Sequence, residues 1–114
     1  FDAPHGAVCA RLLAPVIEGN VRALEERLPQ SEALARYDEV AILLTGRSDA
    51  RPSAAVEWLD RLCQDLEVPQ LSAYGMKRED FDRVVSQAAA ASSMKANPIS
   101  LTVEELREVL DQAL

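Results

Sequence analysis

Residues 4–28 read PHGAVCARLLAPVIEGNVRALEERL, and the stretch from Pro4 to Ile17 decides the fold. Only His5 and Arg11 are strongly polar in it, which is the pattern of a helix buried on most of its sides. Pro4 suits a first helical turn, where its missing N–H has no intrahelical partner to lose. Pro15 lies inside the pattern and removes the bond to the Arg11 carbonyl, so a kink is expected there. Gly19-Asn20 is expected to loosen the helix. Val21 to Leu28 resumes it in amphipathic form, and Pro29 ends it.

Outward from this segment the periodicity stays helical. Ser31 reads as an N-cap, with Leu34, Tyr37, Val40, Ala41 and Leu44 inward and Gly46 as the stop. Arg47–Arg51 is a polar loop. A third helix is predicted over Pro52–Val68, with Val56, Leu59, Leu62, Cys63 and Leu66 on its inner face and Pro69 after it. Leu71–Gly75 is a short connection. A fourth helix runs from about Arg78 into the alanines at 88–91, with Phe81, Val84, Val85 and Ala88 inward. Asn97-Pro98 forbids continuation, because Pro98 pushes Asn97 out of the α region. Thr102-Val103-Glu104-Glu105 is a capping box opening a last helix, whose inner face is Val103, Leu106, Val109, Leu110 and Ala113. No alternating strand pattern of useful length occurs. The fold class is all-α, a bundle-like domain of about five helices over residues 1–114.

The 114 residues suffice for one modest domain that needs no metal or disulfide to fold. A formal charge of −7 argues against nucleic acid and anionic membranes as partners, since both want clustered Lys and Arg. No apolar run approaches the roughly 20 residues of a membrane span. Cys9 and Cys63 match no zinc or redox spacing and read as buried small hydrophobes in a reducing cytosol. With one histidine, the chain supplies no complete transition-metal site by itself. The start at Phe1, with no Met and no leader pattern, reads as that of a fragment.

Two segments are candidates for chemistry. His5 sits between Pro4 and Gly6 at the start of the most apolar helix. It reads either as a capping or half-buried residue or as a metal ligand. A helix's positive end disfavours added positive charge, and neutral imidazole is the metal-binding species. The second is Ala91-Ser92-Ser93-Met94-Lys95-Ala96-Asn97-Pro98, where hydroxyls, a Lys and an Asn gather at a helix end. These either bond back to their own helix or line a binding surface. Trp58 reads as a partly buried core or interface residue. Glu25-Glu26-Arg27 and Glu104–Glu108 read as solvated faces, and no glycine-rich phosphate loop is present.

The order of motifs along the whole chain resembles the iron-containing (group III) alcohol dehydrogenases. It is carried by Phe1-Asp2-Ala3-Pro4-His5-Gly6 with Leu13-Ala14-Pro15-Val16 and Asn20, then Ala35-Arg36-Tyr37 and Leu43-Leu44-Thr45-Gly46. Leu71-Ser72-Ala73-Tyr74-Gly75, Ala91-Ser92-Ser93-Met94-Lys95, Asn97-Pro98 and Leu101-Thr102 follow in family order. The match is to that family's all-helical C-terminal part. The resemblance implies an N-terminal α/β domain that binds NAD(P), and Fe2+, or another divalent metal such as Zn2+, held in the interdomain cleft by one Asp and three His. It makes His5 the last of those ligands, and Ser93 and Met94 substrate-pocket residues. No cofactor-binding or other catalytic residue is expected in this fragment, which alone is expected to be inactive and to bind neither cofactor tightly. The implied parent is a cytoplasmic homo-oligomer acting on a small alcohol or aldehyde, with its own N-terminal domain as partner. The alternative is a free-standing acidic helical interaction module. Ala96, where many relatives have Gly, would tighten its turn. Lys77, where Thr often caps, would forgo a cap worth about 1 kcal/mol.

Overall fold

A computed structural model describes residues 2–114. Its order is α1 (His5–Arg27), α2 (Glu32–Thr45), α3 (Pro52–Asp65), 3-10 turns at Leu71–Tyr74 and Arg78–Asp80, α4 (Phe81–Ala90), a 3-10 turn at Ser92–Ala96, and α5 (Val103–Ala113). No strand occurs among the described residues. The all-α expectation is met.

α1 is the axis. It packs against α2, α3 and α5, while α2 pairs with α3 and α4 with α5. Ala14 and Ile17 meet Leu59 of α3, with Val21, Tyr37, Leu44 and Val56 around them. Val8 and Leu12 reach the other cluster, built on Leu71, Phe81, Val85, Leu110 and Ala113. Helices on two sides of a shared axis give a flattened body, 40 × 33 × 20 Å. α1 runs unbroken through Pro15, which is buried, and does not loosen at Gly19-Asn20. The glycine instead admits α5: a side-chain carbon on Gly19 would stand 3.1 Å from Val109 Cγ2.

The residue after it is the only buried polar side chain among the described residues. Asn20 is 2% exposed. Its amide donates to Asn97 Oδ1 at 2.9 Å, and Asn97 Nδ2 donates back to Asn20 Oδ1 at 2.8 Å. Asn20 Nδ2 also donates to the Tyr37 hydroxyl at 3.0 Å, and Asn97 Nδ2 to the Ile99 carbonyl at 2.6 Å. This network joins α1, α2 and the segment before α5. Asn97 therefore does more than cap the break at Pro98.

Local termini follow the sequence signals. Ser31 Oγ accepts from Ala33 N–H at 3.2 Å, and Gly46 closes α2 at φ 72°. Thr102 and Glu105 cap α5 reciprocally, at 3.1 and 2.8 Å. Lys77 offers no side-chain cap, yet its N–H is held by Asp80 Oδ2 at 2.9 Å, so part of the expected loss is made good. α3 stops at Asp65, short of the predicted Val68, through a hydrogen-bonded C-terminal turn. Val68 N–H reaches the Cys63 carbonyl at 2.9 Å and Glu67 N–H the Gln64 carbonyl at 3.1 Å. This pattern needs a left-handed residue, and Glu67 takes it at φ 56°, where glycine is usual. Arg11 then secures the exit, its guanidinium donating to the carbonyls of Val68 and Pro69.

Four inward assignments are corrected. Leu62 and Leu66 are 37% and 67% exposed, because the buried line of α3 is the narrower Pro52, Ala55, Leu59, Cys63. Val40 lies to the side of the Ala41 contact with α3, and Val103 sits in the first turn of α5, where nothing covers it; both are exposed. The acidic faces are also more than solvated. Arg27 binds both Glu105 oxygens, at 3.0 and 2.9 Å, and the Ser100 carbonyl at 2.7 Å. Arg22 bridges Glu18 and Glu108, and Arg107 joins Asp82.

Three expectations follow. Asn20→Ala leaves the Asn97 amide and the Tyr37 hydroxyl short of partners and should cost about 2–3 kcal/mol in urea denaturation. Glu67→Gly relieves the left-handed strain and should raise stability by about 1 kcal/mol, read as a higher melting temperature. The Glu105 carboxyl is held below its ordinary 4.5: partial burial pushes it up, but the Thr102 N–H, Arg27 and the Thr102 hydroxyl outweigh that. A lowered folded-state value contributes stability above the unfolded value and loses it as pH falls through the folded one. Glu105→Gln should therefore be less stable than the parent at neutral pH by about 1 kcal/mol or less. The two stabilities should converge in acid below pH 4.5.

Candidate metal centre and adjoining groove

His5 opens α1. Pro4 precedes it in an extended N-cap conformation, φ −61° and ψ 130°, with no side chain capping the first turn. The turn closes when Val8 N–H donates to the Pro4 carbonyl at 3.1 Å. The imidazole is exposed, and its Nε2 stands 3.5 Å from Cys9 Sγ, one turn along the helix. A side-chain carbon on Gly6 would meet nothing within 4 Å. The end of α1 thus presents an accessible imidazole with free space beside it.

The two cysteines part company. Cys63 is buried as expected, its thiol donating to the Ala10 carbonyl at 3.5 Å. Cys9 is exposed, which corrects the expectation of two buried thiols. The reason is the orientation of α1: it turns Ala10 and Ala14 towards α3, and Cys9 and Leu13, one turn apart, share an uncovered strip.

A groove of about 320 Å³ begins at His5 and is walled by Val8, Leu12, Tyr74, Met76 and Val84. Beyond it lies an apolar cavity of about 200 Å³, enclosed by Val16, Val85, Met94, Leu101 and Leu106, with Asn97 at its edge. Leu12, Val84 and Leu110 line both spaces, so Met94 and His5 border adjoining cavities. Met94 is half-buried; Ser93 is exposed and lines neither. α4 and the 3-10 turn after it set this placement, since the Asn97 contact with Asn20 draws the turn against α1. No group of three or more His, Cys, Asp or Glu able to hold a metal occurs among the described residues. His5 Nε2 and Cys9 Sγ are neighbouring nitrogen and sulfur donors on this end of α1. The Cys9 contact could have been found from its i,i+4 spacing to His5, whereas the Asn20–Asn97 pair, 77 positions apart, has no local signal.

The chain is 30% identical over 115 residues to Alcohol dehydrogenase 4 of Schizosaccharomyces pombe, with 100% of this chain and 25% of that protein covered. It is 27% identical over 114 residues to Alcohol dehydrogenase 4 of Saccharomyces cerevisiae, covering 99% of this chain and 28% of that protein. The chain therefore spans about a quarter of the length of these curated relatives. No solved structure matches it. Residues 1–114 in full match the family described as "Fe-containing alcohol dehydrogenase family, C-terminal". The chain belongs to the iron-containing alcohol dehydrogenase family, as its all-helical C-terminal part.

Proposed function

We propose that this chain is the metal-holding helical domain of a longer enzyme that interconverts an alcohol and an aldehyde or ketone, using a divalent metal, Fe2+ or Zn2+, and NAD(P). The observation that carries the reading is His5: the one histidine of the chain stands exposed at the start of α1, beside open space and a groove. Its donor chemistry fits a metal, and the lack of a third ligand nearby among the described residues fits a site completed from the preceding part of the protein. That part would hold the nucleotide and the remaining ligands. Further support comes from α3, where Trp58, Leu62 and Leu66, spaced i, i+4, i+8, remain 40%, 37% and 67% exposed. An apolar stripe of this kind suits a surface covered by more protein.

When bound, the metal supplies Lewis-acid polarisation of the alcohol or carbonyl oxygen, and the nicotinamide accepts or returns the hydride. The chain's own residues position and exclude. His5 holds its place because the first turn of α1 is anchored by Val8 and Leu12 in the cluster with Leu110 and Phe81. Val8, Leu12 and Leu110, with Val84 and Met76, give the groove its apolar walls. Met94 walls the adjoining cavity, which suits the carbon skeleton of the substrate. Ser93 is exposed on the same turn and lies outside both cavities. Two unpaired cysteines suit a reducing, cytoplasmic setting. No helix of the described residues is long and apolar enough to cross a membrane.

In the full-length protein, His5→Ala should remove most of the bound metal, read by elemental analysis, and lower turnover by at least about a hundredfold. Retention of metal and turnover would refute the ligand role.

A further inference from the structure

We propose that the substrate is a straight-chain aliphatic alcohol or aldehyde of about eight carbons, its tail held in the apolar cavity beyond the His5 groove, with Ala88 and Met94 setting the chain length accepted. The proposal rests on the reading of this chain as an alcohol dehydrogenase domain and names the substrate class of that site.

Three helices give the groove and the cavity one common direction. Along α1, Val8 lines the groove, Leu12 both spaces and Val16 the cavity alone. Along α4, Val84 lines both and Ala88 the cavity alone; along α5, Leu110 lines both and Leu106 the cavity alone. Each step is one helical turn, about 5.4 Å. Leu12, Val84 and Leu110 thus form a neck between the two spaces. At the far end stand Met94 and Asn97, and Asn97 is bonded to Asn20, one turn beyond Val16 on α1. The imidazole therefore lies at one end of the series and Met94 at the other.

The lining selects an alkyl tail. An apolar protein cavity of about 150 Å³ stays dry and admits benzene, so the 200 Å³ here has room for a tail of about six carbons. Apart from Asn97 its side chains are Leu, Val, Ala and Met. Both hydrogens of the Asn97 amide are spent, on Asn20 Oδ1 and the Ile99 carbonyl. A second substrate hydroxyl carried into this space loses more hydrogen bonds with water than the lining returns, whereas each methylene gains by leaving water. Length is set at the far end. Ala88 is the smallest side chain of the lining and is half-buried, so a larger residue there shortens the space; truncating Met94 extends it.

The test uses the full-length protein loaded with metal and nucleotide, and straight-chain primary alcohols from ethanol to decanol. kcat/KM should rise about fourfold per methylene and level off near octanol. The diol with a hydroxyl at each end of the same eight-carbon chain should be about tenfold or more poorer than octanol. Ala88→Leu should lower the octanol-to-ethanol ratio of kcat/KM about tenfold or more, and Met94→Ala should move the optimum to a longer chain. Xenon, which needs neither metal nor nucleotide, should occupy the cavity in pressurised crystals of the full-length protein and be excluded by Ala88→Leu. A kcat/KM that does not rise with chain length, a diol as good as octanol, a ratio that neither variant moves, or xenon absent from the cavity overturns the proposal while leaving an alcohol dehydrogenase. No turnover of any alcohol with either Fe2+ or Zn2+ overturns that reading, and the proposal with it.

Discussion

The reciprocal amide pair between Asn20 and Asn97 is the constraint on which the rest of the structure depends. A side-chain amide that is 2% exposed must be hydrogen-bonded or it costs several kcal/mol, and here each asparagine answers the other. The Tyr37 hydroxyl and the Ile99 carbonyl complete the network, so α1, α2 and the approach to α5 meet at one point. With Asn97 held there, the chain break at Pro98 has a fixed position. α5 must then start beside the end of α1, where Arg27 receives Glu105, and return along α1 past Gly19. The turn carrying Met94 is fixed by the same contact, since it immediately precedes Asn97.

The core that this arrangement encloses is thin. Six of the sixteen buried hydrophobic residues among those described are alanines, in four clusters strung along a flattened body. Alanine faces let helices approach closely but bury little area, so individual polar contacts between elements matter more than they would around a leucine core. Arg11 on the exit from α3, Arg27 on the start of α5 and Arg107 towards α4 each span two elements. Mixed charge on α5 therefore works at helix junctions. The −7 balance says little about partners by comparison.

α1 connects this architecture to the site. One end is locked by Asn20 and Arg27, and the other presents His5 and Cys9 to open space. A side chain on the first turn of a helix held along most of its length is well placed for precise positioning. The cavities between α1, α4 and α5 begin at that same turn.

Features that one or two helical turns determine were legible in the sequence. The caps at Ser31, Gly46 and Thr102, the all-α class and the helical character of α1 all lie in short patterns whose physics is local. Three kinds of feature were not. Whether Cys9, Leu62 and Leu66 are inside or outside depends on which edge of each helix meets its neighbour, and a stripe of apolar residues does not carry that angle. Gly19 looked like a weak point in α1 and is a point of contact, because the reason for its missing side chain sits on α5. Asn20 looked like part of a loosened stretch of α1 and is the buried hub, because its partner is 77 residues away. By itself the sequence determined the helices, most of their ends and the order of motifs that carries the family resemblance; only the tertiary structure decided which polar groups are shut away from water and which donors stand together, since both depend on contacts between segments remote along the chain.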